Sequence, residues 1–159
     1  MKKTIILYFS QHHGNTEKLV QAIGKNAVRT VEISKAKDLD LKEYDLIGIA
    51  SGIYGGNFGK PVMSYVQEHL PEGKDVFLLY TYAKKLGNYT NGIRKIIEEK
   101  KGNIVGEYGC QGYNTFGPFK LIGGTGKNHP TKEEIEGAVS FYKRLRKDEA
   151  LHFENEQCK

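Results

Sequence analysis

This chain lacks most of the features that would assign it quickly. Its 159 residues include only two cysteines, Cys110 and Cys158. Two cysteines cannot build the disulfide framework of a small secreted domain. No ligand-like spacing connects them, and no metal site is expected. No apolar run approaches the roughly 20 residues that span a bilayer, so membrane insertion is not expected. The basic start Met1-Lys2-Lys3 leads into about five apolar residues, short of the ~7–15 of a signal-peptide core. A cytoplasmic location follows as an expectation. Neither GxGxxG nor GxxxxGKS/T occurs, which removes the usual dinucleotide and P-loop nucleotide sites. There is no convincing acid–base pair, nucleophile elbow, catalytic triad or internal repeat.

What is present is an ordinary balance, with 38% hydrophobic and 27% charged residues. That suits one globular domain over 1–159 with a real core. The formal charge is +5, but the basic residues are scattered. Lys84-Lys85, Lys100-Lys101 and Lys143-Arg144 alternate with acids, as on a solvated surface, and no nucleic-acid partner is expected.

Strand-like apolar runs recur at Ile5–Phe9, Val28–Ile33, Leu46–Ala50, Val76–Tyr80 and Ile104–Tyr108. Helical spacing appears at Leu19, Ala22 and Ile23, then at Val62, Met63, Val66 and Leu70. It returns at Tyr89, Ile93, Ile96 and Ile97, and last at Ile135, Ala138, Val139, Tyr142 and Leu145. The last helix has a marked start, with Thr131 after Pro130 and Glu134 three residues on, the pattern of a capping box. Continuous apolar strands alternating with amphipathic helices predict an α/β fold: a doubly wound, five-stranded parallel sheet, order 2-1-3-4-5, with helices on both faces. Residues 31–46 read as a connection with at most a short helical turn. Residues 111–129 read as a long glycine-rich loop whose aromatic and aliphatic residues argue against disorder. The polar tail, 148–159, is expected to fray.

In such a sheet the loops after strands 1, 3 and 4 converge at one edge. The first is Ser10-Gln11-His12-His13-Gly14-Asn15-Thr16. It leads from a strand into a helix, so its backbone amides suit a phosphate. It contains no Lys or Arg, so hydrogen bonding rather than charge neutralisation would hold the anion. The second is Ser51-Gly52-Ile53-Tyr54-Gly55-Gly56-Asn57-Phe58-Gly59, and the third is Thr81-Tyr82-Ala83-Lys84-Lys85-Leu86-Gly87. Together these two offer glycine backbone and aromatic faces, which a flat fused-ring cofactor needs. Blander readings stand beside these. The glycines can serve only a sharp turn before Pro61, and Tyr54, Phe58 and Tyr82 can be ordinary core or surface aromatics. His12 and His13 lack a nearby third metal ligand.

The chain resembles the flavodoxin family. Gly14-Asn15-Thr16 after the first strand matches the end of that family's phosphate loop. The stretch from Cys110 to Lys120, and Gly126-Lys127-Asn128-His129-Pro130-Thr131, are similar to single-domain flavodoxin-like proteins. The resemblance covers residues 3–147. It implies noncovalent FMN, with the phosphate on Ser10, Gln11, His12, His13, Asn15 and Thr16. The ring system would lie between the second and third loops, with Tyr54 on one face and Tyr82 or Tyr113 on the other. A Gly55-Gly56 peptide would turn over to accept a hydrogen bond from reduced flavin, with Gly56 carrying the conformational demand. The implied function is electron transfer with redox partner proteins. A small NAD(P)H-dependent FMN or quinone reductase and a non-redox FMN-binding interaction module are the alternatives. Lys84-Lys85 depart from the acidic third loop of the usual carrier; positive charge there would raise the potential of the bound flavin.

Overall fold

A computed structural model describes residues 2–11, 13–115, 121, 123, 124 and 126–157, the stretch 149–157 as backbone only. The elements run β1 (Thr4–Phe9), α1 (Asn15–Gly24), β2 (Arg29–Glu32), β3 (Leu46–Tyr54), β4 (Asn57–Phe58), α2 (Lys60–His69), β5 (Asp75–Tyr82), α3 (Asn91–Glu99), β6 (Asn103–Gln111) and α4 (Lys132–Gln157). The sheet order is β2-β1-β3-β5-β6, with β4 paired only to β3. All neighbours in that path are parallel, and β4 is antiparallel to β3. The five parallel strands therefore have the expected order 2-1-3-4-5, and β4 is an addition to it.

The central strands β1, β3 and β5 are buried on both faces, and their side chains alternate between two apolar layers as a strand's period of two requires. Ile5, Leu7, Ile47, Ile49, Val76 and Leu78 meet Val62 and Val66 of α2 and Ile93 and Ile97 of α3. Ile6, Tyr8, Ala50, Phe77 and Leu79 meet Leu19, Val20 and Ile23 of α1 and Ala138, Phe141 and Tyr142 of α4. A parallel sheet with both faces covered leaves its carboxyl edge as the place where loops gather.

Two stretches differ from the sequence-based expectation. The connection after β2 holds two short 3-10 turns, Ile33–Lys35 and Leu41–Glu43, rather than one at most. Leu41 and Tyr44 enter the core there, which anchors an otherwise polar link. The backbone of α4 runs helical from Lys132 to Gln157, across the segment expected to fray. Ala150 and Leu151, among Glu and Lys, are good helix formers and extend an established helix at little cost. Cys158, Lys159 and residues 116–120 lie outside the described residues. No helix among the described residues is long and apolar enough to cross a membrane.

The start of α4 forms the expected reciprocal cap. Thr131 N–H donates to Glu134 Oε2 at 2.9 Å, and Glu134 N–H donates to Thr131 Oγ1 at 3.2 Å. His129 Nδ1 lies 2.7 Å from Glu134 Oε1 and steadies the carboxylate. Thr131→Ala removes the hydroxyl that receives Glu134 N–H and is expected to cost about 1 kcal/mol. Urea denaturation should show the loss as a lower midpoint with an unchanged slope.

Candidate functional site at the carboxyl edge of the sheet

The first turn begins where β1 ends. His13 and Gly14 both adopt positive φ, 66° and 64°. This left-handed pair folds the chain sharply into α1. Gly14 is the N-cap residue and supplies no side-chain cap. Ser10 Oγ accepts the Glu17 N–H at 3.3 Å, while Tyr8 hydroxyl draws the Glu17 carboxylate away at 3.1 Å. The helix thus starts with amides offered toward the carboxyl edge, an arrangement receptive to an anion.

The side chains of Asn15 and Thr16 do something other than face that edge. Asn15 Nδ2 donates to the Tyr113 carbonyl at 2.6 Å, and its Oδ1 accepts the Tyr113 N–H at 3.1 Å. Both ends of its amide are engaged by one backbone residue. Thr16 Oγ1 pairs with Thr81 Oγ1 at 2.8 Å, and both residues are buried. These two side chains brace the turn against the neighbouring loops. Any phosphate contact from them falls to their backbone N–H groups.

The segment after β6 completes the bracing. Gly112 N–H donates to the Tyr82 carbonyl at 2.8 Å, and Gln111 Nε2 donates to the Ala83 carbonyl at 3.1 Å. A Cβ on Gly112 would stand 2.6 Å from Asn15 Nδ2, so the two loops approach closely only because this residue is glycine. Tyr113 stacks on His13, with ring centroids 4.2 Å apart, and His13 Nε2 lies 3.1 Å from Thr115 Oγ1. His12 lies outside the described residues.

The second loop is a hairpin rather than an open loop. Strand β3 continues to Tyr54, which pairs with Asn57 across a two-residue turn. Gly55 and Gly56 have φ of 59° and 81°. Two successive positive φ values mark a type I′ turn, which suits the right-handed twist of the strands. Ser51 Oγ accepts the Gly59 N–H at 2.9 Å and donates to the Gly52 carbonyl at 2.7 Å, which ties the base of the hairpin to the start of α2.

Between this hairpin and the third loop lies a cleft of about 800 Å³. Gln11, Ile53, Tyr54, Gly55, Gly56, Tyr82 and Ala83, all candidates from the sequence, are among the residues that line it. Tyr54 crosses toward the first turn: its hydroxyl accepts the Gln11 N–H at 3.0 Å, and its ring meets Phe9 edge-on at 5.7 Å. Burial pushes the Tyr54 phenol up from its ordinary value, and the Gln11 N–H offsets part of this. Burial likewise raises Tyr82, with smaller contributions from Cys110, Glu134 and Tyr89. Both phenols stay protonated near neutral pH.

Other expected residues stand elsewhere. Phe58 is 1% exposed and belongs to the core, beside Tyr80. Tyr113 lies over His13, outside the cleft lining, and lines a narrow gap with Asn15, Gly52, Thr81 and Gly112. Gly52 lies behind the Tyr54 ring, while Asn57 and Gly87 are exposed outside the cleft lining. The cleft also takes in residues that the sequence reading left aside: Phe9, Lys60, Leu86, Tyr89 and Asn114. Tyr89 reads as part of a helical face, but it precedes α3. Its hydroxyl accepts the Leu86 N–H at 2.7 Å and donates to the Lys84 carbonyl, which pins the third loop. Tyr82 and Tyr89 rings lie 5.8 Å apart and form one wall. The cations in the lining are Lys60 and Lys84, and no carboxylate is among the lining residues.

A doubly wound sheet with an amide-rich turn and an open cleft at its switch point defines a ligand-holding α/β domain of the open-sheet type. The flavodoxin domain family matches residues 5–102. An uncharacterized protein of Methanocaldococcus jannaschii is 35% identical over 151 residues, covering 92% of this chain and 99% of that protein. Among solved structures, a WrbA-like flavodoxin from Agrobacterium tumefaciens superposes with a TM-score of 0.69 at 15% identity, covering 96% of this chain and 99% of its own. A flavoprotein from Lactobacillus acidophilus, solved in complex with FMN, superposes with a TM-score of 0.54 at 20% identity, covering 70% and 93%. The chain belongs to the flavodoxin family.

Asn15→Ala leaves the Tyr113 N–H and carbonyl without their partner. The expected cost is about 2–3 kcal/mol for two lost hydrogen bonds in a part-buried place. Amide exchange at Tyr113 should accelerate far more than exchange in β1. Unchanged protection at Tyr113 would show that another group holds this segment.

Proposed function

We propose that this chain binds FMN without a covalent link and serves as a one-electron shuttle between redox partner proteins. The carrying observation is that a single cleft joins the amide-rich turn, at Gln11, to the glycine hairpin and the Tyr82–Tyr89 wall. The fit is chemical as well as spatial. The turn offers backbone amides and the Ser10 hydroxyl to a phosphate, with the Gln11 amide held by the Tyr54 phenol, and the cleft offers apolar ring surface and exposed peptide groups to a flat heterocycle. The fold it shares with the FMN-bound Lactobacillus acidophilus flavoprotein supports the same reading. Bound FMN would supply the electron-carrying chemistry.

The protein's own part is holding and tuning. Residues Ser10 to Thr16 would take the phosphate, chiefly through backbone N–H groups. Tyr54 and Tyr82 would flank the ring system, with Tyr89 supporting Tyr82. Lys60 and Lys84 place positive charge at the cleft without a carboxylate in its lining, which favours added electrons and raises the potential.

A small flavin reductase acting on NAD(P)H and a quinone is the second reading. The volume of about 800 Å³ favours it, since it stands high in the ~300–1,000 Å³ range of small-molecule sites. Anaerobic titration of the purified protein separates the two. Stepwise one-electron reduction with no NADH turnover supports the shuttle; a single two-electron reduction with NADH turnover supports the reductase. Heat release followed by chromatography should yield FMN, and FAD as the only released species would overturn the cofactor assignment.

The hairpin makes a sharper prediction. Turning over the Gly55–Gly56 peptide converts type I′ to type II′, in which only the first central residue keeps positive φ. The conformational demand of the turned form therefore falls on Gly55, not on Gly56. Gly56→Ala is relieved by the turn, and Gly55→Ala is not. If turning supports the reduced cofactor, the first one-electron potential should rise in Gly56→Ala and fall in Gly55→Ala. A bias of about 0.5–1 kcal/mol corresponds to about 20–40 mV. Spectroelectrochemistry of both variants checks this, and shifts of the same sign would remove the hairpin from redox tuning.

A further inference from the structure

At the opposite edge of the sheet lies a second concavity of about 600 Å³. Six cationic side chains line it: Lys2 and Lys3 before β1, Arg29 at the start of β2, and Lys143, Arg146 and Lys147 on α4. No carboxylate is among its lining residues. Parts of the wall are held in place. Arg29 Nη1 donates to the Tyr44 hydroxyl at 2.8 Å, and Lys3 Nζ stands 5.0 Å from the Tyr44 ring centroid. Arg146 Nη1 donates to the Lys2 carbonyl at 3.0 Å and to Thr4 Oγ1 at 3.3 Å. Carboxylates touch the set from outside the lining: Glu43 meets Lys3 at 2.9 Å, and Asp75 meets Lys2 at 3.8 Å. Arg29, Lys143 and Lys147 have no carboxylate partner among the described residues.

Like charges converging from three parts of the chain repel one another unless an anion lies between them. A scattered basic surface spreads such charges apart, whereas this one gathers them around a hollow. We propose that this concavity is a binding site for a polyphosphorylated small molecule. The hollow selects a compact ligand over a flat protein or nucleic-acid surface, and the three cations without a carboxylate partner among the described residues, Arg29, Lys143 and Lys147, select several phosphates over one. Arg29 suits bidentate contact with phosphate oxygens, and the lysines supply point charges. Thr4 and Asn26 add polar groups to the lining. This site shares no lining residue with the cleft at the carboxyl edge, so it stands whether or not the flavin reading does.

The test is calorimetric titration of the full chain at fixed ionic strength. Tripolyphosphate should bind saturably with one site, at least tenfold tighter than inorganic phosphate. The double variant Arg29→Gln/Lys143→Gln should weaken it at least tenfold, and Lys143→Arg should retain it. Far-UV circular dichroism and the urea midpoint should be the same in all variants, which reports that each is folded. ATP binding as tightly as tripolyphosphate identifies phosphates alone as the recognised group; ATP binding more tightly identifies a nucleoside polyphosphate. Absence of saturable tripolyphosphate binding overturns the proposal, as does binding unchanged in the double variant or binding of RNA alone.

Discussion

The carboxyl edge of this protein depends on the pair of hydrogen bonds between the Asn15 amide and the Tyr113 backbone. One side chain at the first turn of α1 fixes a residue that follows β6, the strand at one end of the parallel path. Its geometry requires Gly112, because a Cβ there would collide with Asn15. Gly112 and Gln111 in turn hold the carbonyls of Tyr82 and Ala83. The turn, the last strand's exit and the tyrosine wall are thereby one connected body. Thr16 to Thr81 makes a second tie between the first turn and β5. A cleft walled by separate loops gains its rigidity from such polar braces, since each satisfies backbone groups that burial would otherwise penalise.

Much of this was legible in the sequence. The runs that became β1, β3 and β5 hold five consecutive residues without a charge, and such continuity marks strands covered on both faces. Thr131 and Glu134 announced the start of α4, and their reciprocal bonds are present. The convergence of three loops followed from strand order alone. What the sequence concealed was the use to which individual polar and aromatic groups are put. Asn15 reads as a ligand donor, yet its amide is engaged within the protein. Phe58 and Tyr54 stand in the same glycine-rich stretch. The hairpin register then sends Phe58 into the core and leaves Tyr54 at the cleft. A one-residue change of strand face decides between these fates, and composition does not reveal it. The Gly55-Gly56 turn between paired residues was a hairpin signal in plain view, but a loop reading absorbed it.

The two edges of the sheet carry different electrostatic characters. The cleft at the carboxyl edge presents two lysines beside tyrosine and glycine, and the concavity at the amino edge presents six cations. A strand such as β1, six residues long, separates the edges by roughly 20 Å at about 3.3 Å per residue. That exceeds the ~8 Å screening length at physiological ionic strength, so charge at one edge scarcely alters the field at the other. The net charge of +5 is therefore a poor guide to either site by itself. Its distribution is what bears on binding.

The Tyr54 hydroxyl that receives the Gln11 N–H bears on whatever binds beside it. The protein already supplies an oxygen acceptor to one amide of its anion-receptive turn. Any arriving phosphate oxygen that takes this amide competes with an internal phenol rather than with bulk water alone. Release of the phenol also frees the ring that covers Gly52. Occupation of this amide and displacement of the phenol would then be coupled, so the affinity of the turn for an anion would be net of the hydrogen bond it gives up. A bond that is small in stability would thus enter the selectivity of the turn.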